Sequence, residues 1–239
     1  MARIAAPMRF SARAVLLDAF GTLLLMPPPA ARLRELLAAE GHPHPEARVR
    51  AALAEEIRYY RAHHDRGRDR DSLRELRRDC ARVLAACLGG AAPPPERLAE
   101  LLVASLRFEL APDAPAALEA LSGAGARVGV VSNWDCSLPD VLRDLGVAGA
   151  VDAVVTSAVA GASKPDPAIF RAALDELGVA PGEAIHCGDD PAKDCAGARA
   201  AGIRAVLLDR SGTLAAAGCP RITSLGELPG LTGLEGALR

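Results

Sequence analysis

The chain has 239 residues, enough for one domain with a sizeable insertion or for two domains, and it can bury a substantial core. Half of its residues are hydrophobic, which argues against a largely disordered chain. The formal net charge of -2 gives no overall attraction to nucleic acids or anionic membranes, so a small molecule is the expected partner.

The first predicted element is a short strand at 14–17, which ends in the sequence Leu-Leu-Asp18-Ala-Phe20-Gly21-Thr22. Its continuous apolar run is typical of a strand that is buried on both faces. A charged residue at the end of such a strand is costly unless it has a function. Asp18 is therefore the first candidate functional residue.

The interval 27–110 contains no strand-like run. It shows helical patterns instead, at 30–39, 46–60, 72–88 and 96–108, separated by stretches rich in Gly and Pro. A helical block inserted after the first strand of a parallel sheet indicates a cap domain, with hinges near 25–28 and 110–115. We therefore expect a core domain of residues 1–26 and 111–239 and a helical cap domain of residues 27–110.

Further buried strands are predicted at 128–131, 184–187 and 203–208, with a weaker one at 151–155. Strands that alternate with helices of about a dozen residues predict βαβ units and a parallel sheet covered on both faces. The expected fold class is α/β, a doubly wound, Rossmann-like parallel sheet with an inserted all-helical cap domain.

Polar residues stand near the ends of these strands. Ser132 and Asn133 follow the strand at 128–131, Lys164 precedes the helix after the weaker strand, and Asp189 and Asp194 follow the strand at 184–187. Open parallel sheets bind ligands beyond the carboxyl ends of their strands, so these residues should converge with Asp18 in one crevice. The only other lysine is Lys193, and this scarcity favours a functional Lys164 over a solvated residue at a helix start.

These residue types suit nucleophilic chemistry on a phosphorylated substrate. A carboxylate such as Asp18 can attack phosphorus or carbon and form a covalent intermediate. Asp189 and Asp194 can supply oxygen ligands to Mg²⁺, and Lys164 can neutralise the nucleophile and the transferring oxygens. Ser132 and Asn133 can donate hydrogen bonds to a phosphoryl oxygen. Trp134 either lines the pocket or packs beneath the cap.

The motifs Asp18-Ala-Phe20-Gly21-Thr22, Ser132, Lys164 and Gly188-Asp189-x4-Asp194 occur in the order of the four motifs of the haloacid dehalogenase superfamily. From Asp18 to about Asp209 the chain resembles that superfamily, and the helical insertion is similar to its C1-type caps. The resemblance implies a hydrolase of a small phosphorylated metabolite, with Asp18 as the covalent nucleophile.

The resemblance also implies the site residues. The Mg²⁺ ligands would be Asp18, the backbone carbonyl of Phe20, Asp189 and Asp194. The residues that hold the phosphoryl oxygens would be Ser132, Asn133 and Lys164; Trp134 is a further candidate for substrate binding because it directly follows Asn133 in the sequence.

Position 20 departs from the phosphatase pattern, because Phe20 stands where those members carry an Asp that acts as general acid and base. Such acid–base help is typically worth about 10²–10⁴-fold in rate. The substitution therefore predicts a substrate with a better leaving group, proton transfer by another residue or by water, or little catalysis.

Metal-free dehalogenases of the superfamily also carry an aromatic residue at this position, so the first motif looks like theirs. The fourth motif, Gly188-Asp189-Asp190, has the acidic character of the metal-binding members. We favour a Mg²⁺-dependent phosphatase, because clustered carboxylates repel one another without a cation. A metal-free 2-haloacid dehalogenase and a non-catalytic binding protein with the same fold are the alternatives.

Six cysteines, at positions 80, 87, 136, 187, 195 and 219, form neither a CxxC pair nor a regularly spaced series. Their arrangement argues against a zinc site and a disulfide framework, and it favours reduced thiols in a cytoplasmic protein. No apolar run approaches the roughly 20 residues of a membrane span, so no membrane partner is expected.

Overall fold

The computed structural model describes residues 12–90, 92–214 and 218–233. The strands are β1 (Ala14–Leu17), β2 (Leu24–Leu25), β3 (Glu109–Leu110), β4 (Arg127–Ser132), β5 (Ala153–Thr156), β6 (Ala184–Gly188), β7 (Arg204–Leu208) and β8 (Arg221–Ile222). The helices are α1 (Ala30–Ala39), α2 (Glu46–His63), α3 (Arg70–Leu88), α4 (Pro95–Ser105), α5 (Ala114–Gly123), α6 (Leu138–Asp144), α7 (Ser157–Ala160), α8 (Pro167–Leu177), α9 (Gly197–Ala200) and α10 (Leu228–Thr232). A π-helical turn, Pro191–Ala196, directly precedes α9.

The main sheet has six parallel strands in the order β5-β4-β1-β6-β7-β8. Successive side chains of β1 point to opposite faces, so Val15 and Leu17 join one hydrophobic cluster while Ala14 and Leu16 join another. Both faces of β1 are buried, which explains its continuous apolar run. The predicted α/β class with a Rossmann-like parallel sheet is confirmed.

The strand order places β1 at the point where the direction of winding changes. The chain passes from β1 to β4 and β5 on one side, and then to β6, β7 and β8 on the other. Leu17 is paired in register with Val130 of β4 and Cys187 of β6. The carboxyl ends of the three central strands therefore meet at one edge, where a doubly wound sheet opens a crevice for ligands.

Helices α1 to α4 pack around a hydrophobic cluster of their own. Its fully buried side chains include Leu33 and Leu37 from α1, Leu76 and Leu84 from α3, and Leu98 from α4. Where the chain enters and leaves this block, β2 and β3 form a two-stranded antiparallel pair, with Leu24 opposite Leu110. The division into a core and a cap with the bounds given above stays a prediction.

Several elements differ from the sequence-based expectations. The helix predicted at 96–108 ends at Ser105, and Glu109–Leu110 becomes β3. The short strands β2, β3 and β8 were not predicted, because two residues are too few to show a period. Within the described ranges, no helix combines the length and apolarity that crossing a membrane requires.

One pair of cysteines contradicts the expectation of reduced thiols. Cys195, in the π-helical turn, forms a disulfide with Cys219, which lies shortly before β8. The two residues come together because the turn and the segment before β8 pack on the same face of the sheet. Sequence spacing does not reveal such tertiary proximity, so the prediction is wrong for this pair.

A partly exposed ion pair ties the two chain crossings to the sheet. Arg210 donates to both carboxylate oxygens of Asp113 at 2.8 Å, and it also donates to the backbone carbonyl of Thr22 at 3.1 Å. Asp113 accepts further hydrogen bonds from Ser224 Oγ and from the backbone amide of Leu225. Burial alone would raise the pKa of Asp113, but Arg210 and Ser224 outweigh it and lower this pKa to about 2.

We expect Asp113→Asn to reduce the free energy of unfolding by about 1–3 kcal/mol at neutral pH, because the charged acceptor is lost. The folded-state pKa of Asp113 is about 2 and its ordinary value is 3.8, so the stabilisation exists above pH 3.8 and is lost as the pH falls towards 2. Urea unfolding at neutral and acidic pH measures the difference from the native chain. The exposed Asp144→Asn is the matched control, and a penalty for Asp113→Asn that is independent of pH would contradict this account.

Candidate active site

Asp18 lies directly after β1 and is only 7% exposed. Ser132 Oγ, at the end of β4, donates to Asp18 Oδ1 at 3.0 Å, and Lys164 Nζ donates to the same oxygen at 2.6 Å. Within the described part of the chain, side chains donate only to Oδ1 of Asp18. Oδ2 is therefore the oxygen that is available to a ligand or a reacting atom.

Lys164 bridges two buried carboxylates. Its Nζ lies 2.6 Å from Asp18 Oδ1 and 2.6 Å from Asp194 Oδ1. Burial by itself would lower the pKa of Lys164, but the attraction of Asp18 and Asp194 outweighs it and raises this pKa, so the ammonium stays charged. The alternative of a solvated residue at a helix start is wrong, because Lys164 is 4% exposed.

Asp194 is held by donors from three segments. Its Oδ1 contacts Lys164 Nζ and lies 2.9 Å from His186 Nε2, while its Oδ2 accepts the backbone amide of Asp190 at 2.9 Å. Burial would raise the pKa of Asp194, but Lys164 and His186 hold it below the ordinary value. The orientation of this carboxylate is therefore fixed by its surroundings.

Asp189 completes a set of three carboxylates. One oxygen from each of Asp18, Asp189 and Asp194 lies within 4.8 Å of the others. Burial raises the pKa of Asp189 to about 6, and the negative charges of Asp18 and Asp194 add to this effect. Burial also raises the pKa of Asp18, although Lys164 opposes it.

Two glycines make room for this arrangement. Gly21 has a φ of 90°, and a Cβ added there would lie 2.3 Å from Asp189 Oδ2. A Cβ at Gly188 would lie 2.1 Å from Asp194 Cγ. Any other residue at either position would displace a carboxylate, so both glycines are needed for close approach of the backbone.

The chemistry of the donors fits a hard divalent cation. Three carboxylates converge, and only one ammonium, that of Lys164, pairs with any of them in the described ranges. Burial is the largest cause of the raised pKa of Asp189, and a bound cation would offset the repulsion from Asp18 and Asp194 that adds to it. Oxygen ligands of this kind suit Mg²⁺, so the residues present fit that metal.

Asn133 contacts the backbone of Lys164. Its Oδ1 accepts the backbone amide of Lys164 at 2.7 Å, and its Nδ2 donates to the carbonyl of the same residue at 3.0 Å. These two bonds fix the segment that carries Lys164. A direct bond from Asn133 to a phosphoryl oxygen stays a prediction.

Trp134 and Phe20 occupy different environments. Trp134 is buried, and its ring packs against Phe108 with centroids 5.1 Å apart. The side chain of Phe20 is 40% exposed, two residues after Asp18. A substrate contact by Trp134 and a metal contact by the carbonyl of Phe20 both stay predictions.

The helical block touches the loop that follows β4. Tyr60 Oη donates to Asp135 Oδ2 at 2.8 Å, and the backbone amide of Cys136 donates to the carbonyl of Gly67 at 2.8 Å. Next to Lys164, Ser163 Oγ donates to Asp65 Oδ2 at 2.7 Å. These contacts place one end of the helical block beside the segments that carry Ser132 and Lys164.

Sequence reasoning missed His186. This residue lies inside β6, is fully buried and contacts Asp194. A polar residue in the middle of an otherwise apolar strand, two positions before Gly188, was the available signal. It was overlooked because a lone histidine in a predicted core strand has no characteristic spacing.

Comparisons with known proteins agree with this geometry. A family model described as haloacid dehalogenase-like hydrolase matches residues 12–202. Phosphoserine phosphatase of Thermus thermophilus is 40% identical over 137 residues, 54% of this chain and 54% of that protein. Ribulose-1,5-bisphosphate 5-phosphatase of Halopiger xanaduensis is 37% identical over 105 residues, 44% of each protein. The chain thus spans about half the length of the curated relatives that it matches.

Solved structures extend the similarity over nearly the whole chain. A phosphatase of the same superfamily from Thermococcus onnurineus has a TM-score of 0.65 and 27% identity, covering 92% of this chain and 98% of that one. A 2-haloacid dehalogenase from Pseudomonas syringae pv. Tomato has a TM-score of 0.68 and 27% identity, covering 92% and 97%. The family match over most of the chain, together with the grouping of Asp18, Ser132, Lys164 and Asp189, shows that this protein belongs to the haloacid dehalogenase-like hydrolases.

Proposed function

We propose that the protein is a Mg²⁺-dependent phosphatase of a small phosphorylated metabolite and that it works through an aspartyl-phosphate at Asp18. The observation that carries the proposal is the convergence of Asp18, Asp189 and Asp194 within 4.8 Å beside a single buried lysine. Three carboxylates this close together repel one another unless a cation is bound, and metal-free dehalogenation uses no such cation. Relatives that are named phosphatases support the same choice.

The residues of the chain divide the reaction between them. Oδ2 of Asp18 attacks phosphorus, and the bond from phosphorus to the leaving oxygen breaks as the new bond forms. Lys164 and Ser132 hold Oδ1, which orients the free oxygen towards the substrate. The leaving oxygen keeps the electron pair of the broken bond and takes a proton from solvent. Water then attacks phosphorus and gives up a proton to solvent, and the bond from phosphorus to Oδ2 breaks, so that Asp18 is released as a carboxylate together with inorganic phosphate.

The proposed metal ligands are Asp18, Asp189 and Asp194, with the carbonyl of Phe20 as a further candidate. When bound, Mg²⁺ supplies positive charge that offsets the repulsion between the nucleophile and the phosphate. Lys164 provides a second positive charge at the same carboxylate, within the protein itself.

We further propose that the helical block, residues 27–110, acts as a cap that closes over the substrate. Its contacts through Tyr60, Asp65 and Gly67 reach the loop after β4 and the residue before Lys164. Closure at this place would exclude bulk water from the reacting phosphate and strengthen the electrostatic contacts there.

The proposal is tested with p-nitrophenyl phosphate, acetyl phosphate and 2-chloropropionate, each assayed with Mg²⁺ and after treatment with EDTA. We expect release of phosphate that requires Mg²⁺ and no release of chloride. Asp18→Asn should lower the rate of phosphate release by at least about 10³-fold, because the amide is not a nucleophile.

A signal that persists in Asp18→Asn would come from a contaminant. Release of chloride that survives EDTA would contradict the phosphatase assignment and support the dehalogenase alternative. Circular dichroism of the variant is the control for folding.

Phe20→Asp should raise the kcat/KM for glycerol phosphate by about 10²–10⁴-fold, because an acid can then protonate the poor alkoxide leaving group. The gain for p-nitrophenyl phosphate should be much smaller, since its leaving group needs little protonation. Steady-state kinetics on both substrates measures the two gains.

Phe20→Asn is the matched control, because it has nearly the same shape as Asp and carries no acid. Equal gains for Phe20→Asn and Phe20→Asp would exclude the proton as the cause. A folded Phe20→Asp variant that is inert towards both esters would favour the non-catalytic binding protein.

A further inference from the structure

His186 is a buried polar residue to which the proposed mechanism gives no role. It lies in β6, is 0% exposed, and its ring meets Phe170 edge-on with centroids 4.9 Å apart. Its Nε2 lies 2.9 Å from Asp194 Oδ1, and its Nδ1 is buried without a hydrogen-bond partner among the described residues. Among the residues that the structure describes, the side chain thus makes one polar contact, and that contact is with Asp194 of the candidate site.

The surroundings of the two ring nitrogens indicate which of them carries a hydrogen. The Asp194 carboxylate oxygen can only accept, and a buried N–H without an acceptor is costly, so Nε2 carries a hydrogen and donates it to Asp194. Leaving the Nδ1 lone pair unsatisfied also costs free energy. An apolar side chain facing Phe170 would avoid this cost, so packing alone does not account for a histidine here.

We propose that His186 is a positioning residue, which orients Asp194 and through it holds Lys164 against Asp18. Lys164 Nζ and His186 Nε2 both meet Oδ1 of Asp194, and the amide of Asp190 holds Oδ2. Without His186, the carboxylate can rotate about its χ2 angle. Rotation would move Asp194 Oδ1, which accepts the hydrogen bond from Lys164 Nζ. It would also displace one of the three converging carboxylates.

The inference rests on the proposed function for its kinetic part, and its test compares two substitutions at one position. His186→Phe keeps a planar ring of similar size and removes the donor. His186→Gln places an amide nitrogen near the position of Nε2 and restores a donor. Ile185→Val is the matched control, because Ile185 is buried in the same strand but packs in the cluster on the opposite face.

We expect His186→Phe to lower kcat for p-nitrophenyl phosphate by roughly 10–100-fold with little change in KM, as is typical when the partner of a ligand is lost. Its affinity for Mg²⁺, measured by calorimetry without substrate, should fall by roughly 10-fold. His186→Gln should regain most of both quantities. Ile185→Val should lose some stability to denaturant and keep both quantities unchanged.

Three results would each overturn the positioning role. The first is an unchanged kcat and Mg²⁺ affinity in His186→Phe. The second is a loss of kcat and Mg²⁺ affinity in His186→Gln as large as that in His186→Phe. The third is an equal loss of both quantities in Ile185→Val. Calorimetry separates this inference from the proposed function. If the native chain hydrolyses no ester, while Mg²⁺ affinity still falls in His186→Phe and returns in His186→Gln, then the phosphatase assignment fails and the positioning role stands.

Discussion

The ammonium of Lys164, 2.6 Å from both Asp18 and Asp194, is the contact on which the rest of the site depends. Three carboxylates converge where burial already disfavours their charged forms. Removing one partner of a buried ion pair typically costs about 3–5 kcal/mol, because the other charge is left uncompensated. Lys164 therefore offsets the repulsion among the three carboxylates in the folded protein. Because it contacts Oδ1 of Asp18, it leaves Oδ2 available to react with a substrate.

The fold delivers this contact from distant parts of the chain. The carboxyl ends of β1, β4 and β6 meet at one edge and bring Asp18, Ser132 and Asp189 together. Lys164 is fixed through its backbone by Asn133, and the π-helical turn after β6 carries Asp194. Gly21 and Gly188 allow the approach, since a Cβ at either would meet a carboxylate. The carboxyl edge of the sheet thus holds three carboxylates close together in spite of their mutual repulsion.

The sequence predicted structure where apolar residues form a continuous run, and it predicted site residues where a charged or polar residue interrupts such a run. The apolar run of β1 predicted its bounds, and charged or polar residues near strand ends predicted the grouping of Asp18, Lys164, Asp189 and Asp194. Contacts between segments that carry neither a periodic pattern nor a polar residue at a strand end were not predictable. The pairing of β2 with β3 and the disulfide between Cys195 and Cys219 join segments whose local sequences carry no period or spacing. His186 was missed for a related reason, because its partner Asp194 approaches it only through the turn after β6.

The central claim is that Asp18 is a nucleophile beside a divalent cation, and a crystal structure grown with Mg²⁺ and beryllofluoride tests it most directly. Beryllofluoride mimics a phosphoryl group bonded to a carboxylate. We expect beryllium bonded to Oδ2 of Asp18, Mg²⁺ in contact with Asp18 and Asp189, and Lys164 still within hydrogen-bond distance of Oδ1. Beryllofluoride bonded elsewhere, or Mg²⁺ absent from the three carboxylates at saturating concentration, would contradict the claim.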